Sequence, residues 1–81
     1  MLLNASVLVI DDEEIMREIL QTLLEREGST VSLAASGEAG LELARSRSFE
    51  VAVVDVMMPG IGGIETLDAL NKLDPDLPVI L

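Results

Sequence analysis

Four short runs rich in Val, Ile and Leu are separated by three stretches whose apolar residues recur every three or four positions. That alternation constrains the fold more than any other feature of the chain. The runs are residues 6–10 (SVLVI), 30–35 (TVSLAA), 51–56 (VAVVDV) and 78–81 (PVIL). A short run with β-branched residues and little polar alternation fits a strand buried on both faces. TVSLAA is the weakest of the four and VAVVDV the clearest. Between them, Ile15, Ile19, Leu20, Leu23 and Leu24 lie at helical spacing, with Gly28 as a stop just beyond. Ser36 suits the N-cap of a second helix carrying Ala39, Leu41, Leu43 and Ala44. Ile64, Leu67, Leu70 and Leu73 mark a third, which Pro75 ends, and PGIGG at 59–63 before it is turn chemistry. Strand and helix in strict alternation imply right-handed βαβ crossovers and a parallel sheet with helices on its faces.

Composition narrows what such a sheet can do. With 81 residues the chain is one domain at most, close to the lower limit for a core without disulfides or metal. It has no Cys and no His, which removes disulfides, thiolate and imidazole metal ligands, imidazole general bases and histidine phosphorylation. Phe49 is the only aromatic residue, so nucleic-acid stacking platforms are absent. The formal net charge of -10 opposes contact with nucleic acid or an anionic membrane. No apolar run approaches the ~20 residues of a membrane span, and the N-terminus lacks a signal-peptide pattern. The expectation is a cytoplasmic protein.

The acids carry the functional signal. The first run ends in Asp11 and Asp12, followed by Glu13 and Glu14; the third run contains Asp55 near its end. In an open parallel sheet, functional groups gather beyond the carboxyl ends of the strands. If the first and third strands are neighbours, about 5 Å apart, Asp11, Asp12 and Asp55 meet in one pocket. Three carboxylates that close would repel, and a hard divalent cation such as Mg²⁺ would relieve the repulsion. Helix-start chemistry is the competing explanation. Acids in a first turn are favoured by the helix dipole, which accounts for Glu13 and Glu14 and extends to Asp12. It does not account for Asp11 at the strand end. Asp55 is followed by VMMPG rather than by a helix, and a plain turn-forming role is an equal alternative for it taken alone.

VLVIDDEE at 7–14 together with VVDVMMPGIGG at 53–63 resembles the receiver domain of bacterial response regulators, in register over the whole chain. The resemblance implies an α/β, three-layer, doubly wound parallel sheet of the flavodoxin-like kind, with family strand order 2-1-3-4-5. It implies that Asp55 is the phosphoacceptor and that a histidine kinase is the phosphodonor of the intact parent. It implies that Asp11, Asp12 and Asp55, with the backbone carbonyl of Met57, hold Mg²⁺. In the family the second acid of the pair ligates directly and the first usually acts through water. Pro59 and Gly60 are implied to shape the loop after the acceptor. Such a domain is a signalling part and not an enzyme. Met57 and Met58, which also suit a partner-binding patch, are read as loop and pocket packing. Glu38, Glu42 and Glu65 are read as solvated helix faces, and GIGG is no nucleotide loop because no Gly-Lys-Ser/Thr follows.

Departures from the family set further expectations. Gly62 stands where the family often has Asp, Asn or Ser, which implies a weaker cap on the third helix. The family's phosphate-contacting Ser or Thr would fall just beyond Leu81, and its fifth-strand Lys, fourth helix, fifth strand and fifth helix have no counterpart. The chain is therefore expected to be an incomplete receiver domain over 1–81, with strands one to four and helices one to three only. It would be poorly active or inactive in signalling, since a lost transition-state donor costs about two to three powers of ten. A Mg²⁺-dependent phosphohydrolase of the haloacid-dehalogenase type is a lesser alternative, because that family carries a second Asp where this chain has Met57. The third alternative is a structural or assembly fragment. An uncovered PVIL strand predicts self-association, with residues 77–81 and the third helix at the interface.

Overall fold

The computed structural model describes residues 4–81. The reading of the N-terminus as lacking a signal peptide falls partly on residues 1–3, outside the described residues. The chain runs β1 (Ser6–Ile10), α1 (Glu14–Arg26), β2 (Thr30–Ala34), α2 (Gly37–Ser46), β3 (Val51–Val54), α3 (Gly63–Leu73) and β4 (Val79–Ile80). The strands form one sheet in the order β2-β1-β3-β4, and each neighbouring pair is parallel. That is the doubly wound arrangement the sequence predicts, over the strands this chain contains. Among the described residues, no helix is long and apolar enough to cross a membrane.

The pleat of β1 sorts the core into two layers. Leu8 and Ile10 point to one face and Val7 and Val9 to the other, and all are fully buried. The Leu8–Ile10 face is covered by α2 and α3: Leu41, Leu70, Phe49, Val54 and Leu77 complete that cluster. The Val7–Val9 face receives α1, whose Leu20 and Leu24 pack on it while only partly buried.

Local chemistry explains the boundaries. Beyond α1, the Gly28 N–H donates to the Glu25 carbonyl and the Ser29 N–H to the Leu24 carbonyl, the bonding pattern of a Schellman stop. Ser36 caps α2 by accepting from the Ala39 N–H at 3.1 Å, as its position predicts. Gly62 opens α3 with no side-chain cap; Thr66 Oγ1 instead donates to the Gly62 carbonyl at 2.8 Å. Three strands stop short of the predicted runs. β2 ends at Ala34, β3 at Val54 and β4 at Ile80. For β3 the reason is that Asp55 already belongs to the following turn. One helical expectation needs correction as well. Ile15, Ile19 and Leu23 are on α1 as predicted, but they lie on its solvent side, and Ile15 is 72% exposed.

Candidate functional site

β1 and β3 are paired with Ile10 beside Val54. The next residues, Asp11 and Asp55, therefore leave the sheet side by side, and the Asp55 N–H donates to the Ile10 carbonyl at 2.8 Å. Asp12 follows on the loop into α1. One carboxylate oxygen from each of Asp11, Asp12 and Asp55 lies within 4.8 Å of the others. The three differ in setting: Asp11 is only 9% exposed, Asp55 is half-buried and Asp12 is open to solvent. An open groove of about 260 Å³ runs from Asp11 and Asp55 past Met16 and Leu20 to Leu81.

The two strand-end acids shape the backbone in the same way. Asp11 Oδ1 accepts from the Glu13 N–H at 2.9 Å, and Asp55 Oδ1 accepts from the Met57 N–H at 3.1 Å. Each carboxylate thus turns the chain out of its strand by bonding the amide two residues on. This corrects the sequence reading of Asp11, which assigned it no part in starting the helix. It fixes the amide of Glu13, the residue at the N-cap position of α1. Glu14 sits in the first turn, as dipole chemistry predicts. Asp12 has no such duty: its carboxylate accepts no protein hydrogen bond among the described residues.

The loop after Asp55 is built for close approach. Gly63 meets the backbone of Asp55 and Val56 so tightly that a Cβ there would overlap both, and its N–H donates to the Val56 carbonyl at 3.0 Å. The start of α3 is therefore pressed against the turn that Asp55 opens. Gly60 has φ +76°, where L side chains are strained, and a Cβ on it would sit 3.0 Å from the Glu38 carboxylate. Pro59 precedes it, exposed, on the same loop. The Met57 carbonyl belongs to that turn as well. The Met57 side chain, however, is 81% exposed, so the expected packing holds for Met58, which joins the core cluster with Ile61, and not for Met57. Glu42 pairs with Arg45 at 3.4 Å on an exposed helix face, in keeping with a solvated role.

Arg17 is the residue that sequence reasoning missed. It lies one turn into α1 and is partly buried, and its Nη1 donates to the Asp11 carbonyl at 2.8 Å. The signal available in the sequence was a lone cation among Glu13, Glu14 and Glu18, on the turn that faces back to the strand end.

The donor set fits a hard divalent cation. It consists of oxygen ligands alone, anchored on two adjacent strand ends, with one member open to water. Mg²⁺ takes one or two carboxylates and retains several waters, and does not need a full protein cage.

Residues 7–81 match the family model described as the response regulator receiver domain. The chain belongs to that family. The transcriptional regulatory protein AfsQ1 of Streptomyces coelicolor is 43% identical over 76 residues, covering 94% of this chain and 33% of AfsQ1. The response regulator TrrA of Thermotoga maritima, solved in complex with Mg(2+)-BeF, superposes with a TM-score of 0.91 at 35% identity, over 95% of this chain and 67% of TrrA. A response regulator of Burkholderia pseudomallei, solved with a phosphorylated aspartic acid, calcium ion and citrate, gives a TM-score of 0.87 at 33% identity, over 93% of this chain and 44% of that one. The chain spans about a third or less of the length of the curated relatives it matches, between 18% and 34%. Like those relatives, this receiver domain has the sheet order and parallel strands of the flavodoxin-like fold.

Proposed function

We propose that this receiver domain is the phosphoacceptor module of a two-component response regulator, with Asp55 as the acceptor. Asp11, Asp12, Asp55 and the Met57 carbonyl would hold Mg²⁺, and Pro59 and Gly60 shape the loop beside them. The observation that carries the reading is the meeting of three carboxylates at the ends of paired strands. The module is a signalling part that takes a phosphoryl group and is not a turnover enzyme. It works in the cytoplasm with the kind of transcriptional regulator it matches.

The chemistry follows from how Asp55 is held. One oxygen accepts the Met57 N–H, and the other has no protein hydrogen bond among the described residues. That free oxygen attacks the phosphorus of a phosphohistidine on a histidine kinase. A P–O bond to Asp55 forms, the P–N bond to the donor breaks, and the imidazole leaves with its electron pair to be protonated. The product is an acyl phosphate. Mg²⁺ held by these residues would supply positive charge that offsets the repulsion of the anionic nucleophile and the phosphoryl oxygens. The Met57 amide keeps the carboxylate oriented while this happens. The pressed contact at Gly63 prevents the turn from drifting away from the strand end.

The test uses a small phosphodonor and intact-mass spectrometry. A slow gain of one phosphoryl group is expected, dependent on Mg²⁺, labile to hydroxylamine and abolished in Asp55→Asn. Labelling that persists in Asp55→Asn would sink the assignment.

A second reading concerns assembly, and a specific observation favours it. Among the described residues β4 is an outer strand of the sheet, and Ile80 and Leu81 are 52% and 51% exposed there. We infer that copies of the chain associate through this edge, with residues 77–81 and α3 at the contact. Pairing of edge strands would satisfy backbone groups and cover apolar surface together. Charge repulsion between copies opposes this, so salt should strengthen the association. Sedimentation across a salt series checks it, and a monomer under all conditions would refute it.

A further inference from the structure

We propose that Arg17 is a positioning residue for the acid pocket: it holds the Asp11 carbonyl and thereby aims Asp12 at the metal. The inference rests on the phosphoacceptor reading above and adds to it a residue outside the ligand set.

The argument begins with what fixes Asp12. Its own carboxylate accepts no protein hydrogen bond among the described residues, and it is open to solvent. Its direction is therefore set by the backbone. The last ladder partner of β1 is Ile10, paired with Ala34 and Val54. Beyond that point the Asp11 N–H still donates to the Ala34 carbonyl, at 3.1 Å. The Asp11 carbonyl has left the ladder. Its partner is Arg17 Nη1, at 2.8 Å. That oxygen belongs to the peptide unit joining Asp11 to Asp12. Fixing it fixes the plane of that peptide; the Glu13 N–H on Asp11 Oδ1 holds the next one, and between the two planes the direction in which the Asp12 side chain departs is set.

The bond is also a strong one of its kind. A guanidinium donating to a carbonyl is a charge-assisted hydrogen bond, and the planar fork of Arg is preorganised to hold one direction. Asp11 is nearly buried, and a buried carbonyl without a partner is unfavourable. The Arg17 bond is anchored in turn, since the Arg17 N–H donates to the Glu13 carbonyl at 3.1 Å and Glu13 N–H donates to Asp11 Oδ1. Strand end, loop and first helical turn are thereby closed into one ring around Asp12.

The sign of the effect separates this role from a plain electrostatic one. A cation beside a cation site repels the metal. If Arg17 acted only through its charge, removing it would tighten Mg²⁺ binding. If it positions Asp12, removing it weakens binding despite the lost repulsion.

The experiment is a Mg²⁺ titration of the 81-residue chain, followed by amide NMR at Asp12, Asp55 and Met57, on the parent, Arg17→Ala, Arg17→Lys and Asp12→Asn. Arg17→Ala is expected to weaken Mg²⁺ binding about ten- to a hundredfold, the range found when partners of metal ligands are removed. Arg17→Lys, which keeps a charged donor, is expected to recover a large part of the loss. In metal-free protein, Arg17→Ala should speed amide exchange at Glu13, whose N–H is held by Asp11 Oδ1, and leave Val7 and Val9 unchanged. Affinity in Arg17→Ala equal to or tighter than the parent's would overturn the proposal while leaving the pocket assignment intact. A parent that shows no saturable binding, or an Asp12→Asn variant that binds like the parent, would overturn the pocket assignment and this inference with it. Should Arg17→Ala not fold, Arg17→Lys set against Arg17→Met, which keeps a long side chain but neither donor nor charge, decides the same question: equal or tighter binding in Arg17→Met overturns the proposal.

Discussion

The two faces of the sheet are built from equally apolar strands and are finished very differently. On the Leu8–Ile10 face, α2 and α3 close over the strands, and Leu70, Val54 and Ala52 are fully or almost fully buried. On the Val7–Val9 face, the strand residues are as deeply buried, yet α1 contributes no buried residue of its own. Its Leu20 and Leu24 reach the sheet, while Ile15, Ile19 and Leu23 turn to water. Hydrophobic spacing on a helix thus states which residues can be buried and does not state how many are. One helix lying on a sheet covers a strip of it, whereas two helices side by side cover each other's flanks as well. The stability of this domain should be concentrated on the two-helix face, and function is carried at the strand ends where both faces meet.

Substitutions can break that comparison or sharpen it. The largest effect is expected for Leu70→Ala. It removes a fully buried side chain from the two-helix core and should lower stability by about 2–5 kcal/mol, much of a margin of about 5–15 kcal/mol. Urea unfolding followed by far-ultraviolet circular dichroism measures it, and a loss no greater than that of an α1 variant would dissolve the contrast. Leu24→Ala, on the half-covered face, should cost about 1 kcal/mol in the same assay.

Ile80→Ser tests the outer edge. It should leave the unfolding midpoint of dilute protein nearly unchanged and shift sedimentation toward monomer. Retention of the oligomer would remove β4 from the interface. The smallest effect belongs to Ile15→Ser, which should change stability by no more than about 0.5 kcal/mol, because the side chain is already largely in water. A loss comparable to that of Leu24→Ala would show that the α1 stripe is covered in solution, and that the two faces are more alike than they look.

Much of this was legible in the residues themselves. Strand runs and helical spacing placed the elements to within a residue or two at the strand ends, because a short unbroken apolar run and a period of 3.6 are distinct side-chain patterns. The Gly28 stop, the Ser36 cap and the Pro75 break are local chemistry and needed no partner. Asp11, Asp12 and Asp55 could be brought together on paper because parallel neighbouring strands end at the same edge. What stayed hidden depends on contacts between distant segments. The exposure of Ile15 and Met57 is set by what lies opposite them, which no local pattern encodes. The role of Gly63 appears only when α3 is pressed onto the Asp55 turn. The Arg17 bond requires a side chain on a helix to meet a carbonyl at the end of a strand. The sequence by itself determined which residues repeat, cap and stop, since those rest on backbone geometry within a few residues. Only the tertiary structure decided which faces are covered and which polar groups find each other, because burial and hydrogen bonding depend on the neighbours that folding brings within reach.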